Sequence, residues 1–461
     1  MKGKILLTCI AVVSLLTGCG GHTHTFESTF SHDEEFHWRN ATCEHKNEKA
    51  DLGPHTFNED FECTICHYKP FAEVTYCISK VEKRTVKDYL KDIVKIPTFV
   101  AELFPETLVF KKYELLYKST DLEGTEQIMS SSLTIPYIDD EACITGFVVD
   151  SHPTLTDLDE CPTHRWDKYL INCLPGNAVF QCDLMGFGTQ SDKISDYHCK
   201  HLLERNTADG MLAAFDFIED FYDISCEDLP QYNVGYSQGG YSSLAFLRYM
   251  ETDATEEEKE RIKIKHTYSG SGAYDINVMF NTCIEIEDFQ YCHYLIKGIL
   301  TTHEYHPDAY GSIKVEDYLT DYGKQFLQPL INKDNNALQA VLNAVDKDGK
   351  KLYTGPRSVF VDEYYSNPDS ELRKAVTRAC EYENLLDNKW LPSGELTMYY
   401  SPCDTMVTPE CSKKAEKLFG ELDNVEFVVA DEEDHIDHQD YGTVFYVSVL
   451  LELLTDKIFD F

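Results

Sequence analysis

Residues 234–240 read VGYSQGG, a stretch in which Ser237 is flanked by Gly235 and Gly239. The preceding residues YNVG (232–235) predict a short strand, and SSLAFLRYM (242–250) has helical composition with one apolar face. A serine between such glycines, after a strand and before a helix, is typical of a turn too tight for side chains at the glycine positions. Gln238 would begin the helix, and its backbone N–H would face a negative charge that develops beside the serine. The stretch therefore predicts an activated serine on a strand–turn–helix unit.

The chain beyond this stretch alternates short β-rich runs with amphipathic helical patterns. The predicted strands are 113–120, 127–137, 143–152, 177–184, 232–235, 262–271, 396–400 and 425–430. Such alternation predicts an α/β fold with a mainly parallel central sheet and helices on both faces. Residues 276–390 break the rhythm and are rich in Tyr, Asp and Asn, which indicates a cap-like insertion.

A serine hydroxyl needs a base to take its proton, and the base needs an acid to orient it. Asp404 follows the predicted strand 396–400 directly and is the candidate acid. The strand 425–430 runs into DEEDHIDHQDYG, where His435 and His438 both compete for the base. We expect His435 to be the base, because His438 would sit at a helix start and point less freely into a cleft.

The loop VVDSHPTLT (148–156) follows an early strand, where a second oxyanion donor is expected. The donor is predicted to be a backbone N–H near Thr154 or Leu155, since Pro153 carries none. His152 precedes the serine in the chain, so we expect it to shape the loop rather than to act as the base.

These motifs together resemble the α/β-hydrolase superfamily, closest to its secreted lipase and esterase branch. The resemblance covers residues 110–461 and rests on YKSTDLEGTEQIMSSSLTIPY, CDLMGFGTQSD, GYSQGGYSS, SPCDTMVTP and VEFVVADEEDHIDHQDYG. It implies hydrolysis of a small-molecule ester or lipid through an acyl-enzyme, with Ser237, Asp404 and His435 as triad and no cofactor for catalysis. Two alternatives stay open, a serine peptidase of the prolyl oligopeptidase type and a catalytically inert surface binding lipoprotein.

The N-terminal residues MKGKILLTCIAVVSLLTGC predict a signal peptide over residues 1–18. LTGC (16–19) resembles the lipobox of bacterial lipoproteins, which implies a lipid on Cys19 and a place in the cell envelope, periplasmic or surface-exposed. An ordinary secretory signal is the alternative. The net charge of −39 argues against a nucleic-acid partner, which would need basic patches.

Residues 19–70 form a Cys/His-rich module ahead of the predicted hydrolase domain, 71–461. Cys43, His45, Cys63 and Cys66 would supply four ligands to a structural zinc ion, with His55 and His67 in reserve. The segment resembles a small Cys/His module of surface lipoproteins from some host-associated bacteria. A disulfide-stapled spacer and a disordered spacer are the alternatives. In the hydrolase domain, the spacings Cys283/Cys292 and Cys403/Cys411 would each allow a disulfide.

Overall fold

The computed structural model describes residues 24–32, 36–45, 47–55, 62–68 and 75–459. The predicted signal peptide and Cys19 lie outside the described residues. The chain divides into two compact units, Met1–Glu73 and Val74–Phe461.

The first unit contains a three-stranded antiparallel sheet, β1 (Ser31–His32), β2 (Phe36–Asn40) and β3 (Lys49–Pro54). Its described residues include only three buried ones, His37, Ala41 and Cys63. A core this small cannot stabilise a fold by apolar burial alone.

The second unit is built on one large mixed sheet. Its strands are β4 (Tyr76–Thr85), β5 (Leu108–Thr120), β6 (Glu126–Ile138), β7 (Glu141–Ala142), β8 (Gly146–Ser151), β9 (Asn177–Cys182), β10 (Gln231–Tyr236), β11 (Ile264–Gly270), β12 (Leu396–Tyr400) and β13 (Val425–Val429). The order is β13-β12-β11-β10-β8-β9-β6-β5-β4, with β7 paired to β6. The neighbours from β13 to β9 are parallel, and those from β9 to β4 are antiparallel. The predicted mainly parallel sheet is confirmed, and the antiparallel edge strand β4 was not predicted.

Helices connect these strands. The α-helices are α1 (Val86–Tyr89), α2 (Thr98–Ala101), α3 (Lys200–Tyr222), α4 (Gln238–Thr252), α5 (Glu256–Arg261), α6 (Ile276–Glu285), α7 (Cys292–Tyr305), α8 (Pro307–Tyr310), α9 (Leu327–Asn332), α10 (Asn335–Leu342), α11 (Pro356–Val359), α12 (Asp362–Ser366), α13 (Glu371–Tyr382), α14 (Pro409–Phe419) and α15 (His438–Phe459). Short 3₁₀ turns lie at Leu158–Glu160, Lys168–Cys173, Gly188–Gln190, Cys226–Asp228, Val315–Tyr318, Gly323–Phe326 and Glu432–Asp434, and a π turn at Leu90–Val94. Within the described part of the chain, no helix combines the length and the apolar character needed to cross a bilayer.

Apolar cores lie on both faces of the sheet, because successive side chains of a strand point to opposite sides. On β8, Val149 joins the core that includes Leu244 of α4, whereas Val148 joins the core that includes Leu453 of α15. Both valines are buried, and each contributes about 2 kcal/mol by leaving water. The two cores fix α4 and α15, the helices that begin at Gln238 and His438, against the same sheet.

The segment between β11 and β12 is a run of helices, α6 to α13, and corresponds to the predicted insertion. It shares the core that includes Leu244. Cys283, Cys292, Cys403 and Cys411 are all free thiols. The suggested pairs Cys283/Cys292 and Cys403/Cys411 are therefore not formed, and the Cys283 thiol instead contacts the Met279 sulfur at 3.6 Å.

Candidate active site

Ser237 lies on the turn between the end of β10 and the start of α4. Its backbone is in a region that residues other than glycine rarely adopt, with φ 62° and ψ −120°, and its N–H donates to the Gly270 carbonyl at 2.8 Å. Conformations of this kind cost about 1–3 kcal/mol and persist where the surroundings enforce them. A Cβ at Gly235 would overlap the Gly239 carbonyl, and a Cβ at Gly239 would overlap the Ser151 carbonyl. Both glycines are therefore required, as predicted, because three backbone segments approach one another closely at this turn.

His438 and Asp404 form a buried pair beside this turn. The Nδ1 atom of His438 lies 2.6 Å from Oδ2 of Asp404, and the two residues are 5% and 7% exposed. The other carboxylate oxygen accepts the N–H groups of Met406 and Val407, each at 2.9 Å. Both carboxylate oxygens of Asp404 therefore accept hydrogen bonds. The bond to Oδ2 fixes the proton of His438 on Nδ1, which leaves Nε2 to accept a proton.

The structure corrects the choice of His435 as the base. His435 is exposed, follows the 3₁₀ turn Glu432–Asp434 in a left-handed conformation with φ 50°, and places its Nδ1 3.8 Å from the Cys403 sulfur. It has no described hydrogen bond to Asp404, whose partner is His438. The candidate triad is therefore Ser237, Asp404 and His438.

The position of His438 at a helix start, which counted against it in the sequence, is the reason that it reaches the acid. The hydroxyl of Tyr236, one residue before Ser237, donates to the His438 carbonyl at 2.7 Å and anchors the first turn of α15. The sequence carried a signal for this: Tyr441, Phe445 and Val449 follow His438 at spacings of three and four, and all four are buried. A histidine that begins the apolar stripe of a helix points inward.

The two predicted oxyanion donors, on Gln238 and near Thr154, both lie close to Ser237. Gln238 is the first residue of α4, so its backbone N–H has no partner within the helix. Thr154 lines the same cavity as Ser237. His152 is buried, donates from Nδ1 to the Pro153 carbonyl at 2.8 Å, and is kept neutral because burial lowers its pKa to about 4. It thus braces the loop, as expected.

A lysine of the insertion holds this loop from the other side. Lys297 on α7 is buried and donates from Nζ to the Leu155 carbonyl at 2.7 Å. Its Nζ also lies 5.0 Å from the ring centre of Tyr197. Burial lowers the pKa of Lys297 to about 7, and the charge of Asp196 opposes that effect. Sequence reasoning missed Lys297, because nothing in the insertion indicated which residue would face the loop.

A cavity of about 240 Å³ opens over Ser237. Its lining combines the catalytic candidates with aromatic and loop residues: Pro153, Thr154, Lys168, Tyr169, Tyr236, Ser237, Tyr294, Met406, His438, Gln439 and Gly442. Tyr294 comes from α7, so the insertion forms part of the wall above the serine. A serine, a base with a free nitrogen and backbone donors around one cavity can perform acyl transfer.

The predicted metal ligands fall into two clusters rather than one. Cys63 and Cys66 lie with His37 and His55, and their candidate ligand atoms are all within 4.8 Å of one another. Cys43 and His45 lie instead with His24. The prediction of Cys43, His45, Cys63 and Cys66 as a single site is therefore wrong. The sequence did not reveal the split, because the hairpin of β2 and β3 decides which histidine meets which cysteine.

No protein-family model matches the chain, and no curated protein matches it. Solved structures do. A proposed hydrolase from Legionella pneumophila is 17% identical with a TM-score of 0.66, over 82% of this chain and 96% of that one. The rice cell wall degrading esterase LipA from Xanthomonas oryzae, in a ligand-bound form, is 18% identical with a TM-score of 0.62, also over 82% and 96%. Candida antarctica lipase A in its closed state is 12% identical with a TM-score of 0.54, over 82% of each chain.

At these identities the likeness concerns the fold. Each match covers 82% of this chain, which includes most of the large mixed sheet and the helices packed on it. The chain therefore has the α/β-hydrolase fold that these esterase and lipase structures share.

Proposed function

We propose that this protein is an exported, lipid-anchored serine hydrolase that cleaves carboxylic esters through Ser237, His438 and Asp404. The observation that carries the proposal is the buried bond of 2.6 Å between Asp404 and His438, which lines the same cavity as the strained Ser237. The fold shared with an esterase and a lipase supports the ester class.

In the first half of the reaction, Nε2 of His438 takes the proton of Ser237 while Oγ forms a bond to the ester carbonyl carbon. Asp404 stabilises the resulting imidazolium. The carbonyl oxygen becomes an oxyanion that the Gln238 N–H and an N–H of the Thr154 loop stabilise, at the positive end of α4. When the C–O bond to the alcohol breaks, His438 returns its proton to the leaving oxygen, and the acyl group stays on Ser237.

In the second half, His438 takes a proton from water as the water oxygen attacks the acyl carbon. Collapse of the second tetrahedral intermediate breaks the bond to Oγ, returns the proton to Ser237 and releases the carboxylic acid. Apart from the ester and one water molecule, these steps use only groups of the chain itself.

The size of the cavity favours a small acyl group. Its volume of about 240 Å³ is below the roughly 300–1,000 Å³ of sites that hold drug-sized ligands. The rings of Tyr169, Tyr236 and Tyr294 give it an amphipathic wall. We therefore expect short acyl chains to be turned over faster than long ones.

The test compares the wild type with Ser237→Ala on p-nitrophenyl esters of two to sixteen acyl carbons and on a proline-ended peptide anilide. Ser243→Ala is the matched control, because its hydroxyl lies further along α4 and donates to the Gly240 carbonyl. We expect ester turnover that peaks at short chains, is abolished in Ser237→Ala and is retained in Ser243→Ala. Turnover of the anilide alone would assign the protein to the peptidases, and a folded protein without either activity would contradict the proposal.

The lipid anchor is the second part of the proposal and rests on the LTGC pattern at residues 16–19. Expressed in a bacterium with lipoprotein processing, the wild type should fractionate with membranes and incorporate labelled fatty acid. Cys19→Ser should abolish the labelling while the ester activity per molecule stays the same. Equal labelling of both proteins would contradict lipidation at Cys19.

A further inference from the structure

Four side chains of the first unit converge with the spacing of a tetrahedral metal site. The Cys63 sulfur lies 3.8 Å from Nδ1 of His37, and the Cys66 sulfur lies 3.4 Å from Nδ1 of His55. With Zn–S near 2.3 Å and Zn–N near 2.05 Å, a tetrahedral site has S···N edges of roughly 3.6 Å. The two measured separations lie on either side of that value.

The ligands come from three separate pieces of backbone that the fold brings together. His37 lies on β2, and His55 directly follows β3. Cys63 and Cys66 lie on a turn that is closed by two backbone bonds, from the Cys63 N–H to the Tyr68 carbonyl at 2.8 Å and from the His67 N–H to the Cys63 carbonyl at 2.9 Å. A turn of this kind directs both sulfurs of a Cys-x-x-Cys sequence to one side.

The two histidine rings are held by aromatic neighbours. The ring of Phe30 lies 5.3 Å from that of His37, edge to face, and the ring of Tyr68 lies 4.9 Å from that of His55. His37 and Cys63 are also two of the three buried residues among the described part of this unit. The cluster therefore occupies the centre of the unit, where a larger domain would have its apolar core.

We propose that His37, His55, Cys63 and Cys66 bind one zinc ion that holds the N-terminal unit folded. Two thiolates and two imidazoles form a ligand set that suits zinc, whereas the hard cations calcium and magnesium prefer oxygen ligands. All four positions are filled by protein, which makes the site structural rather than catalytic. The two thiols lose their protons when the ion binds, so binding and folding are coupled.

The test is the metal content and the cobalt spectrum of the purified full-length chain. Relative to the wild type, Cys63→Ser should lose about one equivalent of zinc per chain, whereas the control Cys143→Ser, a partly exposed thiol of the second unit, should lose none. Exchange of zinc for Co²⁺ should give the visible bands of a tetrahedral ion and a thiolate charge-transfer band that Cys63→Ser weakens.

Two further variants keep the test decisive if Cys63→Ser simply unfolds the unit. His55→Cys should retain the metal and strengthen the thiolate charge-transfer band, because a third sulfur replaces a nitrogen. Cys43→Ser should not remove the equivalent of zinc that depends on Cys63, since Cys43 belongs to the other cluster. Equal zinc content in the wild type and Cys63→Ser, or a Cys63–Cys66 disulfide in protein purified anaerobically with zinc, would overturn the proposal.

Discussion

Replacing Asp404 with asparagine should lower kcat about 10⁴-fold without unfolding the protein. In the structure, Oδ1 of Asp404 accepts the N–H groups of Met406 and Val407, and Oδ2 accepts Nδ1–H of His438. An asparagine must keep its oxygen toward the two N–H donors, because the opposite orientation would leave both buried donors facing an NH₂ group at about 1–3 kcal/mol each. Its NH₂ group then points at His438.

That orientation moves the proton of His438 to the wrong nitrogen. Nδ1 must accept from the amide, so Nε2 carries the proton and cannot take one from Ser237. The loss of the correct tautomer costs a factor of about 10⁴ in kcat, or about 5.5 kcal/mol of transition-state stabilisation. KM should change little, because Asp404 is not among the residues that line the cavity.

The assay is the steady-state hydrolysis of p-nitrophenyl butyrate at pH 8, with the thermal unfolding midpoint measured in parallel. Asp434→Asn is the control, since it makes the same chemical change on an exposed residue of the loop before α15. A loss in Asp404→Asn of less than tenfold, or an equal loss in Asp434→Asn, would refute the tautomer argument and the assignment of the acid.

Two further predictions concern histidines. His438→Gln should lower kcat by about 10⁴-fold or more, whereas His435→Gln should stay within about twofold of the wild type; the reverse order in the same ester assay would restore His435 as the base. His198 is buried, and burial lowers its pKa from 6.5 to about 3. Because the unfolded chain binds a proton that the folded chain does not, the free energy of unfolding should fall by up to roughly 5 kcal/mol as pH drops from 6.5 toward 3. Urea titrations should show a shallower fall for His198→Asn, and an unchanged slope would contradict the assignment.

The parts of the fold that follow from local pattern were predictable. The strands 396–400 and 425–430 were recognisable from their apolar β-branched and aromatic residues, and Ser237 and Asp404 from their places directly after strands. Strand β4 was not recognised, because an edge strand with one solvated face carries many charges, as in KVEKRT (80–85).

The errors arose where tertiary contacts decide. The choice between His435 and His438 depends on where α15 begins and on its anchor, the bond from Tyr236 to the His438 carbonyl, which joins residues about 200 positions apart. The division of the cysteines depends on which histidines the three-stranded sheet and its loops bring near each thiol. The apolar spacing that follows His438 indicates that this histidine faces inward, but residue spacing reveals neither the bond from Tyr236 nor the division of the cysteines.

The bond from Lys297 to the Leu155 carbonyl makes the insertion more than a removable cover. In the proposed hydrolase, the segment that lines the substrate cavity through Tyr294 also positions the loop that stabilises the oxyanion. Selectivity and rate would then share one helix and could not evolve independently. Exchanging residues 276–390 for a foreign cap would remove the Lys297 amine together with the cavity wall. Unless another group bound the Leu155 carbonyl, the enzyme would gain a new substrate preference and lose the support of its oxyanion loop.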